Sequence, residues 1–281
     1  MNQEKFITKK PNSPFLQQYI SYYYFHNSLD DYDRKKYIYY PNIKSALTIY
    51  KNSKVTFNDT YSITEPDSET DFSFLYSGIQ KQLRTSEIIA PFDKIGIVFN
   101  ELGINHFIKQ PLSSILTHTD DKQFNHFGND LINSCKSIYN TIELNEKINL
   151  LDNFFESKFC DFKDDKLKDC IHTIDSSKQK LTVSEVSEQL QINRKTLLRL
   201  FKKHLCCTTK EYLNIIQFRK SLNQYLLINK KQSFTELAID SQYYDQSQFI
   251  NHFKKLSGEN PKTFFKNIEH LGSEDTFWTF Q

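Results

Sequence analysis

The sequence predicts an α+β protein: a strand-rich N-terminal domain closed by two helices, then an all-α C-terminal domain of two helix-turn-helix units joined by a long helix. Three observations carry this. Tyrosine-rich and apolar runs broken by short polar turns fill residues 1–100, the composition of half-buried strands. From Gly103 apolar residues recur at helical spacing. Beyond Asp169 four helix starts are marked by capping chemistry, and part of that region is repeated.

Taken in order, residues 18–25 are packed with tyrosines and read as a strand. Residues 45–50 and 54–57 follow as two strands joined by a short polar turn, and the acidic stretch 60–71 reads as a loop. Residues 72–76 and 88–99 are further strands; in the second, Ile95, Ile97 and Phe99 alternate with Gly96 and Val98. Residues 124–139 and 142–159 place Phe124, Phe127, Leu131 and Ile132, then Ile148, Leu151, Phe154 and Phe155, at helical spacing. The charged stretch 161–169 is a linker or the first turn of the next helix. Thr182 with Glu185, Thr208 with Glu211 and Ser233 with Glu236 each fit a capping box, and Asn260 before Pro261 is a cap with proline at the first helical position. The expected division is 1–160 for sensing or dimerisation, 161–170 as linker, 171–270 as the double helix-turn-helix domain and 271–281 as a tail. The tail holds the only tryptophan, Trp278, between Phe277 and Phe280; it docks on the N-terminal domain or a partner, or stays mobile.

Charge separates the two ends. Residues 171–270 hold 16 Lys+Arg against 9 Asp+Glu, so +7, and the remainder 20 against 25, so −5, which together give the chain's +2. A basic C-terminal part suits a polyanion. The five cysteines, Cys135, Cys160, Cys170, Cys206 and Cys207, show no CxxC spacing and read as reduced thiols of a cytoplasmic protein. No metal or cofactor is expected. The first ten residues lack the apolar stretch of a signal peptide, and no apolar run reaches the roughly 18–20 residues of a membrane span. No GxSxG, HExxH or phosphate-binding glycine loop is present, so an enzyme is not expected.

The repeat carries the functional reading. Residues 185–203 align with 236–255: Ser187 with Ala238 and Gln191 with Gln242 at an offset of 51, Leu197 with Phe249 and Phe201-Lys202-Lys203 with Phe253-Lys254-Lys255 at an offset of 52. The second copy therefore has one extra residue in its turn, and both read as helix, turn, helix. In each second helix one stripe is core, Leu197 with Phe201 and Phe249 with Phe253. The opposite stripe is Lys195, Leu198, Arg199 and Lys202 in the first copy and Ser247, Ile250, Asn251 and Lys254 in the second. An α-helix fits the DNA major groove, where arginine suits guanine and asparagine adenine. Lysines one turn further on suit phosphates. Leu198 and Ile250 either touch a thymine methyl or belong to the core edge. The plain alternative for either stripe alone is a solvated face; their recurrence in a duplicated unit argues against it.

Residues 170–268 resemble the DNA-binding domain of the AraC/XylS family of bacterial transcription regulators. The matching residues are Leu190, Arg194 to Lys203, Glu211-Tyr212-Leu213, Phe218-Arg219-Lys220-Ser221-Leu222, Tyr243 to Ile250 and Phe253 to Pro261. The resemblance implies two recognition helices in successive major grooves, held by a long helix over about 210–228. It implies base contacts from Lys195, Leu198, Arg199, Gln246, Ser247, Ile250 and Asn251. It implies phosphate contacts from Asn193, Arg194, Thr196, Lys202, Lys203, Gln248, Lys254 and Lys255. Double-stranded DNA and RNA polymerase are the implied partners, with room for a small-molecule effector, to which the tyrosine-rich strands could give a pocket, and for a homodimer. Gln191, Gln242 and Cys206 stand where the family usually has glycine, and Gln217 where an arginine is common. If these losses weaken DNA binding, the chain is a degenerate member acting mainly through protein contacts. The N-terminal region is similar to an uncharacterised domain often found ahead of such domains, on Pro14-Phe15-Leu16-Gln17-Gln18-Tyr19-Ile20, the strand Ile95 to Phe99, the Gly103 to Phe107 segment, Pro111-Leu112 and the helices from Phe124 to Phe159.

Overall fold

A computed structural model describes residues 4–29, 33–58, 60–116, 124–177 and 179–281. The N-terminal half contributes nine strands: β1 (Lys5–Lys9), β2 (Ile20–Ser28), β3 (Arg34–Tyr39), β4 (Ser45–Lys51), β5 (Ser53–Phe57), β6 (Tyr61–Pro66), β7 (Phe72–Ser77), β8 (Arg84–Ile89) and β9 (Phe92–Phe99). The helices α1 (Leu112–Ile115), α2 (Gly128–Asn140) and α3 (Leu144–Lys158) follow. The C-terminal half holds α4 (Asp165–Ser176), α5 (Val183–Gln189), α6 (Arg194–Leu205), α7 (Thr209–Asn223), α8 (Phe234–Asp240), α9 (Gln246–Ser257) and α10 (Pro261–Asn267), and ends in the strands β10 (Glu269–Leu271) and β11 (Thr276–Phe280).

The strands form two sheets, ordered β1-β2-β9-β4-β7 and β10-β11-β3-β8-β6-β5. Period-two alternation places the five-stranded sheet between two apolar layers. Ile95, Ile97 and Phe99 of β9, with Leu47 and Ile49 of β4, face α2 and α3 and pack with Leu131, Ile138, Leu151 and Phe155. On the other face Tyr50, Leu75 and Phe92 meet Tyr37, Val55, Ile88 and Trp278 of the second sheet. Gly96 lies under the Tyr24 ring, where an added Cβ would sit 1.9 Å from a ring carbon. Two of the buried tyrosine hydroxyls bond threonines of other strands: Tyr24 with Thr48 and Tyr22 with Thr276, each at 2.8 Å.

Several expectations for this half are corrected. The stretch 60–71 is not all loop, because residues 61–66 form β6. Its inward positions are the small polar Ser62 and Thr64, both 1% exposed, and Ser62 Oγ lies 2.9 Å from Ser86 Oγ of β8. Alternation of small polar residues leaves no apolar signature. The run 88–99 is two strands, divided at Ala90-Pro91 and assigned to different sheets. β1 and β3 carried no distinct pattern. The first closing helix begins at Gly128, not 124, because the Phe124 amide donates to the Phe74 carbonyl and continues the edge of β7.

In the helical half all three capping boxes are formed, and Asn260 caps α10 ahead of Pro261. α4 starts at Asp165, so of the two readings of the charged stretch 161–169 its second part is the first turn of a helix, and Leu167, Cys170, Ile171 and Ile174 enter the core of the first helix-turn-helix unit. α7 serves both units: Tyr212 and Ile216 pack in the first core, Phe218 and Leu222 in the second. It ends in a π-helical turn, Gln224–Ile228, so the helical path reaches 228 as expected. Leu102 joins the first core, and Tyr40 and Phe277 join the second. Among the described residues no helix is long and apolar enough to cross a membrane.

Candidate nucleic-acid interface

The repeat is visible at the level of single hydrogen bonds. In the first turn the Gln191 amide donates to the Glu188 carbonyl and the Ile192 amide to the Ser187 carbonyl, at 3.2 and 3.0 Å. In the second the Gln242 amide donates to Ile239 and the Tyr243 amide to Ala238, both at 2.9 Å. This is the helix-terminating arrangement in which one left-handed residue lets the next amide reach back five residues. Gln191 and Gln242 are those residues, at φ 52° and 63°. Cys206 and Gly258, one repeat apart, likewise end α6 and α9 with φ 54° and 81°. Three side chains thus occupy a conformation natural to glycine and costly otherwise, by roughly 1 kcal/mol each.

The second helix of each unit, α6 and α9, is capped by a side chain at its start. Asn193 Oδ1 accepts the Lys195 amide at 2.8 Å and Asp245 Oδ1 the Gln248 amide at 2.7 Å. The extra residue of the second copy is in the turn that carries Tyr243 and Tyr244. Tyr243 is buried and bonds His252 Nδ1 at 2.8 Å, while Tyr244 is 90% exposed beside the start of α9. Inside, Leu197, Phe201, Phe249 and Phe253 are 0% exposed, so both core stripes are as expected. Ala238 is fully buried at the helix crossing, and Ser187 Oγ donates to the Ile192 carbonyl at 2.6 Å.

The opposite stripes face out. Lys195, Leu198, Arg199 and Lys202 are exposed on α6, as are Ser247, Asn251 and Lys254 on α9, with Ile250 half-buried and packed against the second core. Leu198 is the more accessible apolar residue, at 39%. Arg194 and Lys255 are also exposed, while Thr196 and Lys203 are half-buried. Three candidates carry internal bonds: Asn193 through its cap, Gln246 Oε1 accepting from the Thr235 hydroxyl at 3.0 Å, and Gln248 Oε1 accepting from the Tyr244 amide at 2.9 Å. The amide NH2 groups of Gln246 and Gln248 remain to donate outward. Lys202 and Lys203, and Lys254 and Lys255, lie in the last turns of α6 and α9, where the helix dipole favours cations.

Two features escaped the sequence. Gln217 is 4% exposed and its Nε2 donates to the Ser241 and Gln242 carbonyls at 3.4 and 3.1 Å, satisfying acceptors at the end of α8. Arg219, read only as part of a motif, is buried and pairs with Asp275 of the tail at 3.3 Å. Tyr244 could have been found as the inserted residue of the second copy. Among the described residues no three His, Cys, Asp or Glu side chains converge as metal ligands.

Two capped helices, each with a buried stripe and an outward polar stripe, define a double helix-turn-helix protein. Residues 186–267 match the family model described as a helix-turn-helix domain, within the stretch that resembles the AraC/XylS DNA-binding domain. Over 90 residues the chain is 33% identical to the Msm operon regulatory protein of Streptococcus mutans, covering 32% of each chain. Over 96 residues it is 30% identical to the lactose operon transcription activator of Staphylococcus xylosus, covering 34% of each. The match thus spans about a third of these relatives' length. Among solved structures it is similar to ToxT from Vibrio cholerae, at 17% identity and TM-score 0.42 over 94% of this chain and 98% of that one. It is also similar to the C-terminal domain of the response regulator yesN from Fusobacterium nucleatum, at 24% identity and TM-score 0.33 over 36% and 97%.

Proposed function

We propose that this chain is a sequence-specific DNA-binding transcription regulator that works in the cytoplasm and inserts α6 and α9 into successive major grooves. The observation that carries the reading is the recurrence of an outward polar stripe, Lys195, Arg199 and Lys202 on α6 and Ser247, Asn251 and Lys254 on α9, in two copies of one capped unit. Lys195, Leu198, Arg199, Gln246, Ser247, Ile250 and Asn251 take base edges, while Asn193, Arg194, Thr196, Lys202, Lys203, Gln248, Lys254 and Lys255 take the backbone. RNA polymerase is the further partner of an activator of this kind. Residues 1–160 act as the controlling part, by sensing or by dimerising.

A small-molecule effector has a place to bind. A cavity of about 130 Å³ lies between the two sheets, lined among others by Tyr22, Tyr24, Tyr37, Tyr39, Tyr40 and Tyr50. Its aromatic walls and hydroxyl tips suit an apolar or aromatic body with a few polar groups. A second reading, in which the protein acts mainly through protein contacts, is favoured by the three strained side chains at Gln191, Cys206 and Gln242. The two separate in one experiment. Selection of duplex fragments by the purified chain, followed by titration between about 50 and 200 mM salt, should yield a defined operator and a steep salt slope. No duplex binding at about 50 mM salt sinks the first reading and leaves the second.

A further inference from the structure

The tail is not a loose end. Beyond the last helix, β10 and β11 form a hairpin, and β11 adds to the six-stranded sheet against β3, with Trp278 opposite Tyr39, Thr279 opposite Ile38 and Phe280 opposite Tyr37. The Gln281 amide donates to the Lys36 carbonyl at 2.8 Å, and the hairpin turn is tied to β1 by the Ser273 amide, which donates to Thr8 Oγ1 at 2.9 Å. The helical half is therefore joined to the sheets twice, once through the chain at 159–164 and once through its own C-terminus.

The alternation of β11 divides its side chains between the two halves. Phe277 enters the core of the second helix-turn-helix unit, with Phe218, Phe253 and Phe264. Trp278, the next residue, enters the core between the sheets and stacks on Tyr37 with centroids 4.5 Å apart. Trp278 also lies 5.4 Å from the buried ammonium of Lys94. Threonines on either side bond tyrosines of the N-terminal half: Thr276 with Tyr22 at 2.8 Å, and Thr279 with Tyr40 at 2.7 Å.

At the base of the strand Asp275 sits between cations from both halves. Its carboxylate is 3.2 Å from Lys44 Nζ and 3.3 Å from Arg219 on α7, and its carbonyl accepts from Arg219 at 3.0 Å. Arg219 is 6% exposed, and among the described residues its acidic partner is Asp275. Lys44, Arg219, Asp275, Thr276, Phe277 and Trp278 all line the cavity between the sheets.

We propose that β11 is an interdomain latch, fastened by the Lys44–Asp275–Arg219 cluster, that fixes the helix joining the two helix-turn-helix units against the sheets and forms a wall of their cavity. Pairing with β3 is only three residues long, so the strand can part from the sheet without opening its centre. Parting removes Phe277 from one core and leaves Arg219 without its carboxylate, so the state of the latch is felt along α7. Any change in the cavity meets the same residues. The consequence for DNA rests on the DNA-binding reading above; the latch itself does not.

The test uses the full chain with Asp275→Asn, which keeps the shape and removes the charge, and with Glu274→Gln as its neighbour control. A third form ends at Ile268. Amide hydrogen exchange and affinity for one selected duplex are measured for each. Asp275→Asn should raise exchange in β3, β11 and the second half of α7 at least tenfold, leave α2 and α3 unchanged, and shift duplex affinity at least fivefold. Glu274→Gln should do neither. Truncation should raise exchange in β3 and at 159–164; if that form does not fold, Asp275→Asn decides alone. Unchanged exchange in Asp275→Asn overturns the latch, and changed exchange with unchanged affinity overturns its coupling to DNA. If the parent chain binds no duplex, the DNA-binding reading fails while the exchange data still decide the latch.

Discussion

At the scale of single residues, the two turns hold strained backbone while the polar residues of the outward stripes of α6 and α9 are exposed. Gln191 and Gln242 hold left-handed backbone with a side chain attached. Gln191→Gly and Gln242→Gly should each stabilise the chain by less than about 1 kcal/mol, the Cβ conflict relieved minus what glycine adds to unfolded-state entropy. Thermal unfolding of the single and double variants checks this, and a lower midpoint would show the strain to be relieved already. Lys94 is a different conflict. It is 1% exposed, donates to the Tyr37 hydroxyl at 2.8 Å, and burial lowers its pKa from 10.5 to about 7. The unfolded chain keeps this proton up to about pH 10.5 while the folded chain releases it above about 7. Between these values the unfolded state binds more protons, so stability should rise with pH through that window and level off below it. Lys94→Met should flatten that slope, as denaturant midpoints at pH 7 and 9 would reveal. On the proposed DNA-binding function, Arg199→Ala should cost about 1–3 kcal/mol of binding and relax one base position. Lys202→Ala should weaken all duplexes alike and make the salt slope shallower by about one unit. Uniform losses from both would place the reading face elsewhere.

At the scale of elements, the caps made the helical half legible. Thr182, Thr208 and Ser233 each bond their third-residue amide, and Glu185, Glu211 and Glu236 return the bond, so six sequence positions mark three helix starts. The helix ends were harder to read, because glutamine and cysteine do not announce a left-handed residue as glycine does. α7 supplies side chains to both cores and so sets the relation of α6 to α9. If that relation matches one turn of DNA, Asn251→Ala should change preference at a base about 34 Å from the one read by Arg199. Single-base operator variants test it, and a shared base position for both substitutions would exclude it. Among strands, β9 was readable because its helix-facing positions are Ile95, Ile97 and Phe99, whereas β6 turns Ser62 and Thr64 inward and was not.

At the scale of the whole molecule, the two halves share cores. Leu102 packs with the first helix-turn-helix unit, Tyr40 and Phe277 with the second, and Tyr40 lies 4.6 Å from the Phe264 ring. A fragment of residues 165–270 should therefore fold with a clearly lower midpoint than the full chain, because it lacks all three side chains. Burial of each is worth about 1.5–3 kcal/mol. Calorimetry of fragment and full chain decides, and equal midpoints would mean these contacts contribute little.

The sequence by itself determined the order of strands then helices, the starts of the capped helices, the duplicated unit and the stripe that α6 and α9 each bury. These are consequences of local periodicity and of backbone groups that neighbouring side chains must satisfy. Only the tertiary structure decided where β6 and β8 pair, what Gln217 and Arg219 do, and that the tail is a strand. Those outcomes depend on partners far away in the chain: Ser86 for Ser62, Ser241 and Gln242 for Gln217, Asp275 for Arg219 and β3 for β11. No local pattern encodes a partner's position, because pairing across such distances is set by which surfaces remain unsatisfied once the local elements have formed.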